Sequence, residues 1–418
     1  MGENQREFDV VLFGATGFVG VLIAEYLAAH APAGTRIALA GRNEAKLEKT
    51  RASLPSTASD WPLIVADGDS PESLDAMAAR ARVVATTVGP YLKYGEALLS
   101  AVANAGTDYI DLTGEVPFVR YSIDKYSELA AHTGARLVHA CGYDSIPSDL
   151  GVWALHRQVG VDKAGSLGET TMVVDKFRGG LSGGTIDSMR VVTGLARDKE
   201  QRKVLTHPNA LTSGPGAMPE FRRGQEPSDT PIGKAADIDP SLRGGIAPFL
   251  MANYNTRIVR RSNFILDDAY GPGFRYAEAM RVGGNAVTSR IAAGGVAAGL
   301  GLLFGGLAMK PTRAVLDRVL PKPGEGPSEE ARNKGFFVHK TFTTTTTGQR
   351  YVAHVEAQGD PGYKATAMMF AEAALALALN RDKLPDRHGV LTPASAMGDV
   401  LTERLRAAGM RIEAERLD

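Results

Sequence analysis

Seven residues near the N-terminus, Gly14-Ala15-Thr16-Gly17-Phe18-Val19-Gly20, carry the sharpest chemical pattern in this chain. They follow an apolar run, Phe8–Phe13, and lead into an Ala-containing stretch with helical spacing, Gly20–His30. In such a pattern the first glycine permits a tight turn, the second admits backbone amides to a pyrophosphate, and the third lets helix pack on strand. The helix N-terminus then turns its partial positive charge toward the phosphates. Gly14, Thr16, Gly17 and Gly20 are therefore expected to hold a dinucleotide, with a purely structural turn as the alternative.

The end of the next apolar run selects the dinucleotide. A site for NAD places an acid there to hold the ribose 2′-hydroxyl, whereas this run ends Ala40-Gly41-Arg42-Asn43. Arg42 can grip a 2′-phosphate and lay its guanidinium against the adenine, so NADP(H) is expected; a solvated loop cation is the plainer reading. Asp67, in Val65-Ala66-Asp67-Gly68, stands where an acid meets the adenine amine, or where an aspartate simply forms a turn. Gly89, in Thr87-Val88-Gly89-Pro90-Tyr91, marks backbone that would pass the nicotinamide ribose.

Ligands of open α/β sheets bind beyond the carboxyl ends of the strands. The side chains expected there are Tyr91, Lys93, Tyr94, Glu115, Tyr143, Asp144 and Ser145. Tyr91 and Tyr143 are the preferred proton donors by type, against packing or loop hydrogen bonding for each. His139 and Cys141 alternate with apolar residues and read as core. Cys141 is the only cysteine, so no multi-cysteine metal site and no internal disulfide can form, and no metal is expected.

These residues need a scaffold, and the pattern around them supplies one. Short apolar runs at Phe8–Phe13, Arg36–Ala40, Leu63–Val65, Val83–Val88, Tyr109–Leu112 and Arg136–Cys141 alternate with helical stretches, the signature of a parallel sheet covered on both faces. The fold class is thus α/β, with a Rossmann-type domain over 1–150. A second, α+β domain with an antiparallel sheet is expected over 151–360. It takes a strand at Gly168–Phe177, a helix at Gly184–Glu200, a Pro/Gly/Ser-rich excursion at Thr206–Pro240, and a hairpin of Phe336–Thr346 with Arg350–Gln358. The Thr run in that hairpin suits a solvated strand. C-terminal helices, Tyr363–Asn380 and Ala394–Ala407, fill 361–418 and contain no repeat of earlier sequence.

Composition bounds the rest. The 418 residues include 47 Lys plus Arg and 47 Asp plus Glu, so no overall field draws the chain to nucleic acid. The start, Met1-Gly2-Glu3-Asn4-Gln5-Arg6, has neither a secretory h-region nor a myristoylation pattern, and a cytoplasmic location is expected. Ile291–Met309 is an uncharged run of 19 residues, six of them glycine, between Arg290 and Lys310. Three readings stay open for it: a buried or interface helix pair, a membrane-surface or acyl-docking element, and a true span, the last disfavoured by its glycines. Arg257, Arg260 and Arg261 either steer an acidic partner such as an acyl carrier domain or solvate a strand edge.

Taken together these words resemble the saccharopine-dehydrogenase-like oxidoreductases. The resemblance rests on Gly14–Gly20, Gly41-Arg42-Asn43, Val88-Gly89-Pro90-Tyr91, Tyr109–Glu115, Gly142-Tyr143-Asp144-Ser145-Ile146-Pro147-Ser148-Asp149, Asn255–Ser262, Asp360-Pro361-Gly362-Tyr363 and Gly389–Ala394. Their order from end to end is most similar to the trans-acting enoyl reductases of phthiocerol-type lipid biosynthesis. The resemblance implies NADPH-dependent reduction of a carbon–carbon double bond in a lipid or polyketide acyl chain, borne by a carrier and made by a polyketide synthase. It also implies that the C-terminal helices fold back on the nucleotide domain. Two rivals stand beside it: oxidoreduction at an amino-acid or imine carbon, and a non-catalytic nucleotide-binding adaptor in peripheral contact with a lipid surface.

Overall fold

The computed structural model describes residues 6–417 apart from 181, 221–225, 317, 319 and 321–325. The first strands, β1 (Phe8–Phe13), β2 (Ile37–Gly41), β3 (Leu63–Val65), β4 (Ala81–Thr86), β5 (Asp108–Ile110) and β6 (Arg136–Val138), alternate with helices. β1 and β2 are buried at every position, as strands covered on both faces must be. The second half contributes β7 (Leu167–Arg178), β8 (Gly233–Lys234), β9 (Gly245–Pro248), β10 (Arg275–Val282), β11 (Phe336–Thr345), β12 (Arg350–Gln358), β13 (Gly389–Leu391) and β14 (Arg411–Arg416).

Two seven-stranded sheets result. The first runs β13-β6-β5-β4-β1-β2-β3, with every pairing parallel. The second runs β14-β12-β11-β7-β10-β9-β8 and is mixed rather than purely antiparallel, because β10 pairs in parallel with β7. The C-terminal segment carries strands as well as helices. Its β13 extends the first sheet beside β6, and its β14 edges the second beside β12, so the chain end ties both sheets together.

The helices used below are α1 (Phe18–His30), α2 (Ile146–Val161), α3 (Gly183–Leu195), α4 (Lys199–Thr206), α5 (Ala252–Ile265), α6 (Ala286–Ala308), α7 (Thr366–Leu379) and α8 (Pro393–Ala407). α7 is rich in alanine and buried almost all round, which requires neighbours on every side. It finds them in α1, α8 and the strands β1, β4 and β5. Small side chains let these elements approach closely without voids.

Three further sequence expectations change. The Thr run lies on β11, which is central between β7 and β12, and Thr341, Thr343 and Thr345 are buried rather than solvated. Alternation along a central strand puts every second threonine inward. The expected helix Gly184–Glu200 is two helices, α3 and α4, with Asp198 capping the second through its carboxylate.

The third change concerns Arg257, Arg260 and Arg261, which sit on a helix, α5, and point inward at 3–5% exposure. Neither a strand edge nor a steering patch describes them. Arg257 and Arg260 pair with Asp229 at 2.6 and 2.9 Å, and Arg260 lies 3.2 Å from Glu226. The same guanidinium groups donate to the carbonyls of Leu205, Pro208 and Leu211, and Arg261 also to that of Val390. The Thr206–Pro240 excursion, of which 221–225 lie outside the described residues, has little regular structure to satisfy its carbonyls. Buried acceptors of that kind demand donors, and the Arg fork supplies several at once. The arginines therefore staple the excursion to the body.

Candidate functional site

The glycine loop between β1 and α1 is shaped by close approach. Gly14 has φ +89°, and a Cβ there would lie 2.6 Å from Thr87 Oγ1. A Cβ on Gly20 would lie 2.2 Å from the Gly14 carbonyl oxygen, so only glycine lets α1 start against the strand. Gly17 is exposed, and no side chain caps the N-terminus of α1. Its first-turn amides are thus open for an anion, and a pyrophosphate is the group such an arrangement suits. Thr16 is half-buried in the same turn.

The other expected nucleotide contacts frame this loop. Arg42 follows β2 directly, is exposed, and has no hydrogen-bond or ion-pair partner among the described residues, as a residue awaiting a phosphate should be. Asp67 is half-buried beyond β3, where its Oδ1 accepts from the Asp69 amide at 3.1 Å, so part of its capacity goes to the turn. Gly89 is exposed beyond β4 and lines the main cavity.

That cavity, of about 510 Å³, begins at the glycine loop. Gly17, Gly20, Thr87 and Gly89 form its nucleotide end. Its far walls are apolar: Met189, Val192 and Ala196 of or just beyond α3, Leu205 of α4, Met251, and Phe304 of α6. Apolar walls interspersed with polar groups, here Asp187, Ser188, Thr193 and Asn253, are the usual composition of a small-molecule site. α3 enters this wall at Ser182-Gly183-Gly184-Thr185, where Ser182 Oγ accepts from the Thr185 amide at 3.0 Å. In the sequence these residues read only as a helix start, so the contribution of α3 and α4 to the site was not foreseen, whereas an acyl-docking element was one of three readings for the segment that forms α6.

Tyr91 and Tyr143 are placed differently from each other. The Tyr91 ring lines the cavity, but its hydroxyl donates to the Thr86 carbonyl at 3.3 Å and accepts from the Leu112 amide at 3.1 Å. Burial pushes that hydroxyl well above its ordinary pKa. The turn that carries it is pinned by Glu115, whose carboxylate accepts from the amides of Tyr91 and Leu92 and from Ser188 Oγ at 2.7 Å. Tyr143 is not among the cavity-lining residues. Its hydroxyl lies 3.0 Å from His339 Nε2 and its ring packs on Phe337. Burial pushes His339 down to about 3, so that imidazole is neutral. A register shift in β11 at Val338/His339 accompanies this contact.

The next residue in the chain, Asp144, does line the cavity. Its carboxyl has no hydrogen-bond partner among the described residues, and desolvation pushes it up to about 7. Asp187, the other cavity-lining carboxylate, is instead paired with Arg190 at 3.3 Å. Among the described residues the site therefore presents one unpaired carboxyl poised between its two protonation states near neutral pH, the property that suits a general acid or base. His139 and Cys141 are fully buried. His139 Nδ1 lies 2.6 Å from Asp111 and Nε2 lies 2.9 Å from Ser122, a satisfied internal network.

Comparison with known proteins identifies the fold and the nucleotide-binding half. Residues 10–138 match the model of the saccharopine dehydrogenase NADP-binding domain. A Mycobacterium tuberculosis protein provisionally named a trans-acting enoyl reductase is 52% identical over 100% of both chains. A trans-acting enoyl reductase of Mycobacterium bovis is 48% identical, also over 100% of both. Saccharopine dehydrogenase (L-Glu forming) of Saccharomyces cerevisiae shares the fold, with a TM-score of 0.54 at 14% identity over 98% of this chain and 99% of that one.

Proposed function

Since the chain belongs to the trans-acting enoyl reductase family and is an NADP-dependent oxidoreductase on a saccharopine-dehydrogenase-like fold, we propose that it saturates an activated carbon–carbon double bond in a polyketide-derived acyl chain. The chain to be reduced is of the phthiocerol type and arrives on an acyl carrier domain of a separate synthase, in keeping with a trans-acting enzyme. The observation that carries this reading is the single cavity that joins the glycine loop to an apolar end with the free Asp144 carboxyl in its wall.

Gly14, Thr16, Gly17 and Gly20 would hold the pyrophosphate, Arg42 the 2′-phosphate, and Thr87 and Gly89 would border the nicotinamide end. When bound, NADPH supplies the hydride. The protein's share is position, exclusion of water by Met189, Val192, Leu205 and Phe304, and a proton. Protonated Asp144 gives that proton to the carbon beside the one reduced and is recharged from solvent. Tyr91 shapes the wall and Tyr143 supports Asp144 from behind, each with its hydroxyl committed elsewhere.

The test is NADPH consumption by purified protein across α,β-unsaturated acyl thioesters, free and carrier-bound, and across amino-acid/keto-acid pairs. Oxidation with long unsaturated thioesters supports the reading. Turnover confined to an amino-acid/keto-acid pair would move the reaction to the saccharopine type. Tight NADPH binding without turnover on any of them would leave a nucleotide-binding adaptor.

A further inference from the structure

α6 breaks the rule for a surface helix. Ser289, Ala293 and Leu307 face the body and are buried, so one stripe of the helix packs against β9 and α3. The approach is close, since a Cβ on Gly245 of β9 would lie 3.0 Å from Ser289 Cβ. The opposite stripe should then be polar. Instead Val287, Ile291 and Leu302 are exposed at 67%, 70% and 77%, with Met309 just beyond the helix at 54%. Gly294, Gly295, Gly299, Gly301 and Gly305 would each meet nothing within 4 Å on gaining a Cβ, so open space surrounds this side. An apolar face of this extent calls for cover.

The charges around it select the cover. No Asp or Glu occurs in the sequence between Glu278 and Asp317, while Arg290, Lys310 and Arg313 fall in that interval; Arg281, also there, is taken up by an ion pair with Asp175 of β7. A helix apolar along its length and basic at both ends matches a bilayer with anionic headgroups. It matches a second copy of itself poorly, because an antiparallel pair would set Arg290 against Lys310 with no acid between them. The helix is long and apolar enough to cross a membrane. Both its ends are nevertheless held to one side of the body, the first turn by β9 and the last by Arg197, which donates to the Ala308 carbonyl. A helix of 23 residues, about 34 Å long, anchored in this way lies along a surface and does not span it.

We propose that α6 is an interfacial docking helix that seats the enzyme on an anionic lipid surface. Its Phe304 lines the same cavity that receives the substrate, so docking opens the apolar end of the site toward the bilayer. The inference rests on the reduction of an acyl chain argued above, and it assigns where that chain resides.

The experiment is flotation of the full chain with phosphatidylcholine vesicles, with and without phosphatidylglycerol, at low and high salt. Wild type should float with the anionic vesicles, and less so at high salt. Ile291→Asp/Leu302→Asp should lower the apparent affinity by roughly tenfold or more. NADPH affinity and turnover of a short, water-soluble enoyl thioester should stay unchanged, since both side chains point away from the body. Failure to float would overturn the proposal, as would a wild-type dimer in solution that the double substitution converts to monomer, which would make this face a subunit interface. Soluble turnover that persists while flotation fails removes only the docking helix; loss of turnover on every thioester removes the reduction itself.

Discussion

In the proposed reaction Asp144 is the group whose protonation decides the chemistry. A carboxyl pushed up to about 7 is protonated below that pH and ionised above it. As the general acid it must be protonated, so the single-turnover rate should be level below about pH 7 and fall as pH rises through it. Asp144→Asn should reduce that rate by roughly 10²–10⁴-fold and abolish the alkaline limb, with NADPH affinity preserved. A retained limb in the variant would assign the titration to another group. Tyr91→Phe should behave in the opposite way. It strands the Leu112 amide and the Thr86 carbonyl, so thermal unfolding should show a loss of about 1–3 kcal/mol, while the pH profile keeps its shape. Arg42→Ala should weaken NADPH by about 1–3 kcal/mol in a binding titration and leave NADH nearly unchanged; equal losses would reject Arg42 as the 2′-phosphate ligand.

At this scale the sequence was legible where backbone conformation dictates residue type. Gly14 and Gly20 could be assigned because only glycine fits a positive φ and a helix start pressed on a carbonyl. Residue type alone could not rank Tyr91, Tyr143 and Asp144. Tyrosine is a donor by nature, whereas an aspartate becomes one only through its surroundings, and those come from residues far away in the chain. The same limit hid the inward turn of Arg257, Arg260 and Arg261, whose partners at 205–229 become neighbours only on folding.

Among the elements, α5 holds the excursion that brings α4 and its Leu205 to the cavity. Arg260→Met should leave Glu226 without its ion-pair partner, take from Asp229 one of its two arginines while Arg257 remains, and remove a donor from the Pro208 and Tyr276 carbonyls. Breaking a buried pair from one side costs about 3–5 kcal/mol. Thermal unfolding should register that loss, and protease cleavage within 206–232 should quicken. Undiminished stability would mean that the excursion is held by other contacts. The strands near the N-terminus were readable because continuous apolar runs bounded by turns have few alternatives. β11 was misjudged in exposure because threonine serves both a solvated edge and a central strand, and only pairing decides between them.

The whole molecule joins two sheets through one C-terminal segment, which gives a strand to each and packs a buried helix, α7, on the first. The cavity lies where the nucleotide end of the first sheet meets α3, α4 and α6 of the second half. That meeting was invisible in the sequence, since no local pattern tells which late helix covers an early loop. It is also what gives a long acyl chain room beside the nucleotide in the proposed reduction. The most direct measurement follows deuterium from NADPH labelled at C4 into a carrier-bound unsaturated acyl chain, read by mass spectrometry of the released product. The proposed reduction should give a saturated product with one deuterium on a carbon of the former double bond, and a second only when solvent is also deuterated. An unreduced acyl chain, with the label transferred instead to a keto or imino acid, would contradict it.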